Sequence, residues 1–188
     1  MTTLDNFRQY FNHLEIPTEL SSLIRFQQEV SRQKYYSEGF ELIVGDNEKS
    51  LLKEISQDKD FLDSIWEFAK ADASGSTYAF WLASSNMNLG NAPIIVFGSE
   101  GGAHIVAKNI KELLQILTYD CSPMVDWDDF YYYRCPNDFE PSEKSKEYCQ
   151  WLKSVWNVDP TNNADTIVSL AQKEFKESFD KWMSGFYA

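Results

Sequence analysis

Groups able to do acid–base, nucleophilic or metal chemistry are few in this chain of 188 residues. Its imidazoles are His13 and His104, and its thiols are Cys121, Cys135 and Cys149. No H-E-x-x-H or comparable pairing places two of these ligands on one helix face. A nucleophilic Cys–His pair has to be shown by geometry, and buried, inert thiols are the more ordinary outcome. The cysteines are odd in number, evenly spaced and without a CxxC pair. That pattern opposes a disulfide framework or structural zinc and favours a reducing compartment.

Carboxylates are plentiful, and Asp126-Trp127-Asp128-Asp129 concentrates them. Such oxygens can hold a divalent cation or do acid–base work, but there is no EF-hand spacing with its central glycine and distal glutamate. Two readings of the cluster stay open. One is a solvated loop whose aromatics anchor it to the core. The other is a protein-contact face, in which Trp and Tyr supply buried area and carboxylates speed encounter with a cationic surface. The contact reading takes in Asp126, Trp127, Asp128, Asp129, Tyr131, Tyr132 and Asp138. Gly98-Ser99-Glu100-Gly101-Gly102 follows an apolar run, where phosphate loops sit, yet lacks both the GK[ST] ending and the G-x-G-x-x-G spacing. It reads as a hairpin turn whose glycines supply positive φ.

The elements that position these groups follow from periodicity. Pro93 opens a strand over Ile94-Ile95-Val96-Phe97, and after the glycine turn a shorter strand runs from Ala103 to Ala107. Asn109 then caps a helix with Leu113, Leu114 and Leu117 on one face. Upstream, Trp66-Glu67-Phe68-Ala69 and Ser76 to Leu82 flank an Ala73-Ser74-Gly75 turn as a hairpin, and Ser84 to Asn91 loops back to Pro93. An antiparallel meander over about 66–107 results. Before it, a helix carrying Leu4, Phe7, Phe11 and Leu14 ends before Pro17, and a second starts near Thr18. Phe40 to Val44 reads as a strand, and Leu51, Leu52 and Ile55 as a helix from Asn47 that Asp58-Lys59-Asp60 interrupts. After the acidic–aromatic segment at 118–141, two helices occupy 142–188, from about Ser142 and about Asn163. The expectation is one α+β domain over 1–188, a central, mostly antiparallel sheet with helices packed around it.

Composition narrows the function classes. Lys and Arg number 17 against 29 Asp and Glu, a net charge of −12. Nucleic acid and anionic membrane both require a cationic face, so neither is expected as a partner; a basic protein is, although a negative balance by itself is equally a device for solubility. Aromatics are 15% of the chain and hydrophobic residues 43%, which is foldable composition. The N-terminal MTTLDNFRQYF has neither the cationic start nor the apolar run of a signal peptide, and no uncharged apolar stretch approaches a membrane span, so cytoplasmic residence is expected.

Phe68-Ala69, Asp72 to Trp81, Pro93 to Gly102 and Val106 to Asn109 with its helix together resemble the SUKH superfamily, which holds Smi/Knr-type fungal cell-wall regulators and bacterial immunity proteins. The resemblance spans about 66–117, and Gly75, Trp81, Gly98, Gly101 and Gly102 match its structural pattern. It implies an α+β fold without catalytic residues or cofactors, and, for bacterial members, binding and neutralising a polymorphic toxin, often a nuclease, in the cytoplasm. The acidic–aromatic segment lies outside the matched part. Two functions follow as expectations. The first is a non-enzymatic immunity module for a basic toxin domain; the alternative is a small-molecule-binding or regulatory domain with a pocket near the Gly98–Gly102 turn, using His104 and Glu100.

Overall fold

Alternating and continuous apolar runs between residues 65 and 107 build the centre of the molecule. In the computed structural model, which describes residues 2–84 and 86–186, strands β1 (Glu41–Leu42), β2 (Ile65–Lys70), β3 (Thr77–Trp81), β4 (Ile94–Phe97) and β5 (Ala103–Ala107) pair in that order, each antiparallel to the next. The protein is α+β. Ser85, inside the loop expected at 84–91, lies outside the described residues.

Both faces of this sheet are covered, which explains why β3 and β4 are buried at every position. Tyr78, Phe80, Ile94 and Val96 point into one core, and Ala79, Trp81, Ile95 and Phe97 into the other. The first core is closed by α1 (Leu4–Phe11), α2 (Thr18–Phe26) with a π-helical extension at Gln27–Ser31, α5 (Ile110–Leu117) and α6 (Ser145–Trp156). The second receives Leu52 of α3 (Ser50–Ile55), Phe61 of α4 (Lys59–Ser64) and Ala171, Phe179 and Met183 of α7 (Ala164–Met183). Trp81 is central to it, its ring 5.0 Å from Phe179 and 5.5 Å from Trp182. Fully burying such a side chain contributes roughly 2–3 kcal/mol.

Caps set most helix starts. Thr3 and Asn6 form a capping box, Asn163 accepts from Thr166 N, and Asn109, the cap expected from the sequence, accepts from Glu112 N. Several boundaries differ from expectation. The first helix stops at Phe11, because Asn12 turns to φ 52°, and Leu14 packs from a loop instead. The helix expected from Asn47 starts at Ser50, and the interruption expected at Asp58-Lys59-Asp60 is present, because the Asp58 side chain accepts from Asp60 N and Phe61 N and so starts α4 afresh. The first C-terminal helix begins at Ser145, three residues later than expected. Among the described residues no helix is long and apolar enough to cross a membrane.

The β5 edge would be free to pair with another chain, but α7 lies along it and Gln172 Nε2 donates to Ile105 O at 3.2 Å. Polar groups within the sheet are few. Glu67 is 7% exposed and accepts from Thr77 Oγ1 at 2.7 Å. Burial raises its carboxyl pKa above the usual range, with the Thr77 hydrogen bond and the Lys49 charge opposing.

Candidate protein-interaction site

Two short β-forming runs, Pro123-Met124-Val125 and Phe130-Tyr131-Tyr132, flank the acidic cluster and close it into a hairpin. Strands β6 (Pro123–Val125) and β7 (Phe130–Tyr132) pair antiparallel, so Asp126, Trp127, Asp128 and Asp129 form its tip. This hairpin is not among the elements expected from the sequence, although β-formers on either side of a polar four-residue turn are its usual signal.

The tip is fixed by its own polar atoms. Asp126 N donates to Asp129 O at 2.9 Å, and Trp127 N donates to Asp126 Oδ1 at 2.7 Å. It is fixed also to the main sheet, since His104 Nε2 lies 2.7 Å from Asp126 O. A carbonyl only accepts, so Nε2 carries the proton. The His104 ring stacks on Phe130 at 5.9 Å and is 7% exposed. His104 is therefore an anchor for the hairpin, and Cys121 Sγ donates to Tyr133 O. His13 lies exposed in the turn after α1. Among the described residues no three His, Cys, Asp or Glu side chains gather as a metal site.

The Gly98–Gly102 turn is the surface on which the tip rests. A Cβ on Gly101 would meet the Trp127 ring, one on Gly102 the Asp126 carbonyl, and one on Gly98 the Gly101 carbonyl and the Val125 side chain. Gly101 and Gly102 also take φ of 114° and 85°. Positive φ thus accounts for two of the three glycines, whereas Gly98, expected to need it, is required by close approach alone. Next to this turn, the β2–β3 turn is organised by Asp72 Oδ1, which accepts from Ser74, Gly75 and Ser76 backbone N–H groups, and Ser74 Oγ meets Ser99 Oγ at 2.9 Å. Three loops therefore stand together at one end of the sheet.

The seven residues expected on one contact face separate into four places. Asp126, Trp127, Asp128 and Asp129 are all exposed at the tip, and Trp127 shows 64% of its surface. Tyr131 pairs with Met124 on the hairpin's outer face, both exposed. Tyr132 does not belong to any surface: alternation turns it inward, it is 5% exposed, and its hydroxyl meets that of Tyr78 at 2.6 Å. Asp138 is exposed but follows the base of the hairpin, lining a cleft with Arg134 and Cys121. The tip, with Tyr131 and Met124 beside it, is the coherent patch.

Between the tip and the end of α7 lies a cleft of about 360 Å³, lined by His104, Trp127, Asp128, Phe179, Asp180 and Met183 among others. This is the pocket expected beside the glycine turn, although Glu100 is not in its wall. The approach of α7 residues from fifty positions downstream had no signal in the sequence. Comparison with protein-family models, curated proteins and solved structures finds no match.

Proposed function

We propose that this chain is a non-enzymatic protein-binding module of SUKH type, an immunity protein whose acidic hairpin tip binds and neutralises a basic toxin domain, a nuclease being the natural example, in the cytoplasm. One observation carries the reading: Trp127, the largest apolar side chain type, stands mostly exposed on a tip held by three polar contacts and surrounded by three aspartates. A pre-ordered aromatic costs little entropy to bury against a partner, and surrounding carboxylates steer a cationic surface towards it. The net charge of −12 acts in the same direction over longer range. The SUKH reading is supported by the antiparallel sheet and by the architectural places of Trp81, Gly75, Gly98, Gly101 and Gly102.

The test begins with capture of a basic domain from the source organism's lysate at low and at moderate salt. Association of the captured partner is then timed against an Asp128→Asn/Asp129→Asn variant. Asp126 is left in place because its carboxylate fixes the Trp127 backbone. Association is expected to slow about tenfold at low salt, the difference shrinking as salt rises. An unchanged rate removes the tip from the interface.

A further inference from the structure

We infer that the cleft between the hairpin tip and the end of α7 is a seat for a single arginine side chain of the partner. The inference rests on the reading of the chain as a binder of a basic protein and adds the residue type that the site selects. Trp127 forms one wall. One side of its ring is supported by Gly101, and most of the rest is open. A guanidinium is planar, weakly hydrated and attracted to an indole face, which an ammonium with its tight hydration shell matches less well. The floor is apolar, from Phe179 and Met183, and suits the methylene stem that precedes the charged head.

The rim supplies the acceptors. Asp128 is exposed and, among the described residues, accepts no hydrogen bond and makes no ion pair. Asp180 stands on the opposite side, its Oδ2 accepting from Lys176 Nζ at 2.8 Å. Lys176 also lines the cleft, so an internal cation already occupies half of the place that a guanidinium would take. Both partners of that pair are about half exposed, and an exposed i,i+4 pair is weak and readily exchanged. An anionic ligand would meet two carboxylates here, and a neutral one would leave Asp128 unmatched. A cation with several N–H donors fits both the charge and the shape.

The test uses the full chain, labelled with ¹⁵N, titrated at low salt with N-acetyl-arginine methylamide and with its lysine and citrulline counterparts. The readout is the Trp127 indole N–H signal, identified by its loss in Trp127→Phe. Arginine is expected to shift the signal saturably, lysine to bind about fivefold more weakly, and neutral citrulline to give no saturable shift. Asp128→Asn should weaken arginine binding about fivefold, and Lys176→Ala should tighten it about twofold by freeing Asp180. No saturable shift with arginine, an equal response to citrulline or lysine, or an unaltered affinity in Asp128→Asn overturns the seat. If the arginine probe is inert while a basic domain is still captured in a salt-sensitive way, the seat fails and the binder reading stands. If arginine binds at Trp127 but the tip variant associates with the partner at the normal rate, the cleft selects a guanidinium that the partner does not supply, which overturns the seat as a place for the partner's arginine and removes the tip from the interface.

Discussion

The indole of Trp127 lies against the backbone of Gly101, so closely that no side chain fits between them. Residues 26 positions apart thereby couple the β4–β5 turn to the tip of the β6–β7 hairpin, and a substitution in one is felt in the other. Gly101→Ala adds a Cβ at φ 114° and against the ring together. The expected cost is about 1–3 kcal/mol, accompanied by displacement of Trp127. Urea unfolding and the Trp127 indole resonance measure both; an unmoved resonance would show that the contact does not hold the tip.

The Tyr78–Tyr132 hydroxyl pair is buried, with each oxygen dependent on the other. Tyr132→Phe leaves the Tyr78 hydroxyl stranded in the core and should cost about 1–2 kcal/mol, whereas Tyr78→Phe/Tyr132→Phe should recover part of that loss, because no orphan remains. A double-mutant cycle by urea denaturation decides. Strictly additive single losses would mean that the pair contributes nothing as a pair.

Burial holds the Glu67 carboxyl pKa above its unfolded value. A group raised in the folded state contributes stability that is complete below the unfolded pKa, near 4.3, and is lost as pH climbs through the folded pKa. Glu67→Gln keeps an oxygen for the Thr77 hydroxyl but has no charge to desolvate. The variant should therefore gain on the parent as pH rises from 4 to 7. Parallel stability curves over that range would place the carboxylate in a well-solvated environment.

Burial likewise pushes the Cys121 thiol up to about 11. With so little thiolate at pH 8, alkylation by iodoacetamide should reach Cys135 long before Cys121, which should lag by about a hundredfold relative to an ordinary thiol. Peptide mass mapping of a timed reaction would show it. Equal labelling would mean that the Cys121 hydrogen bond to Tyr133 O opens readily.

What the sequence determined was whatever depends on neighbours along the chain. The period-two and continuous apolar runs from Trp66 to Ala107 specified the meander, and the caps at Thr3, Asn109 and Asn163 placed helix starts. The tertiary structure alone decided which side chains share a surface. Tyr131 and Tyr132 are equally aromatic and adjacent, and only the pleat of β7 against the core sends one to solvent and the other to Tyr78. Gly98 and Gly101 look alike in the chain, yet one is fixed by a passing carbonyl and the other by a tryptophan ring from another hairpin. The cleft is assembled from Trp127, Asp128 and Asp180, and α7 brings the last of these to the tip by packing Ala171, Phe179 and Met183 on the sheet. Local propensity carries no record of such encounters, because burial is non-directional and takes its geometry from the whole fold.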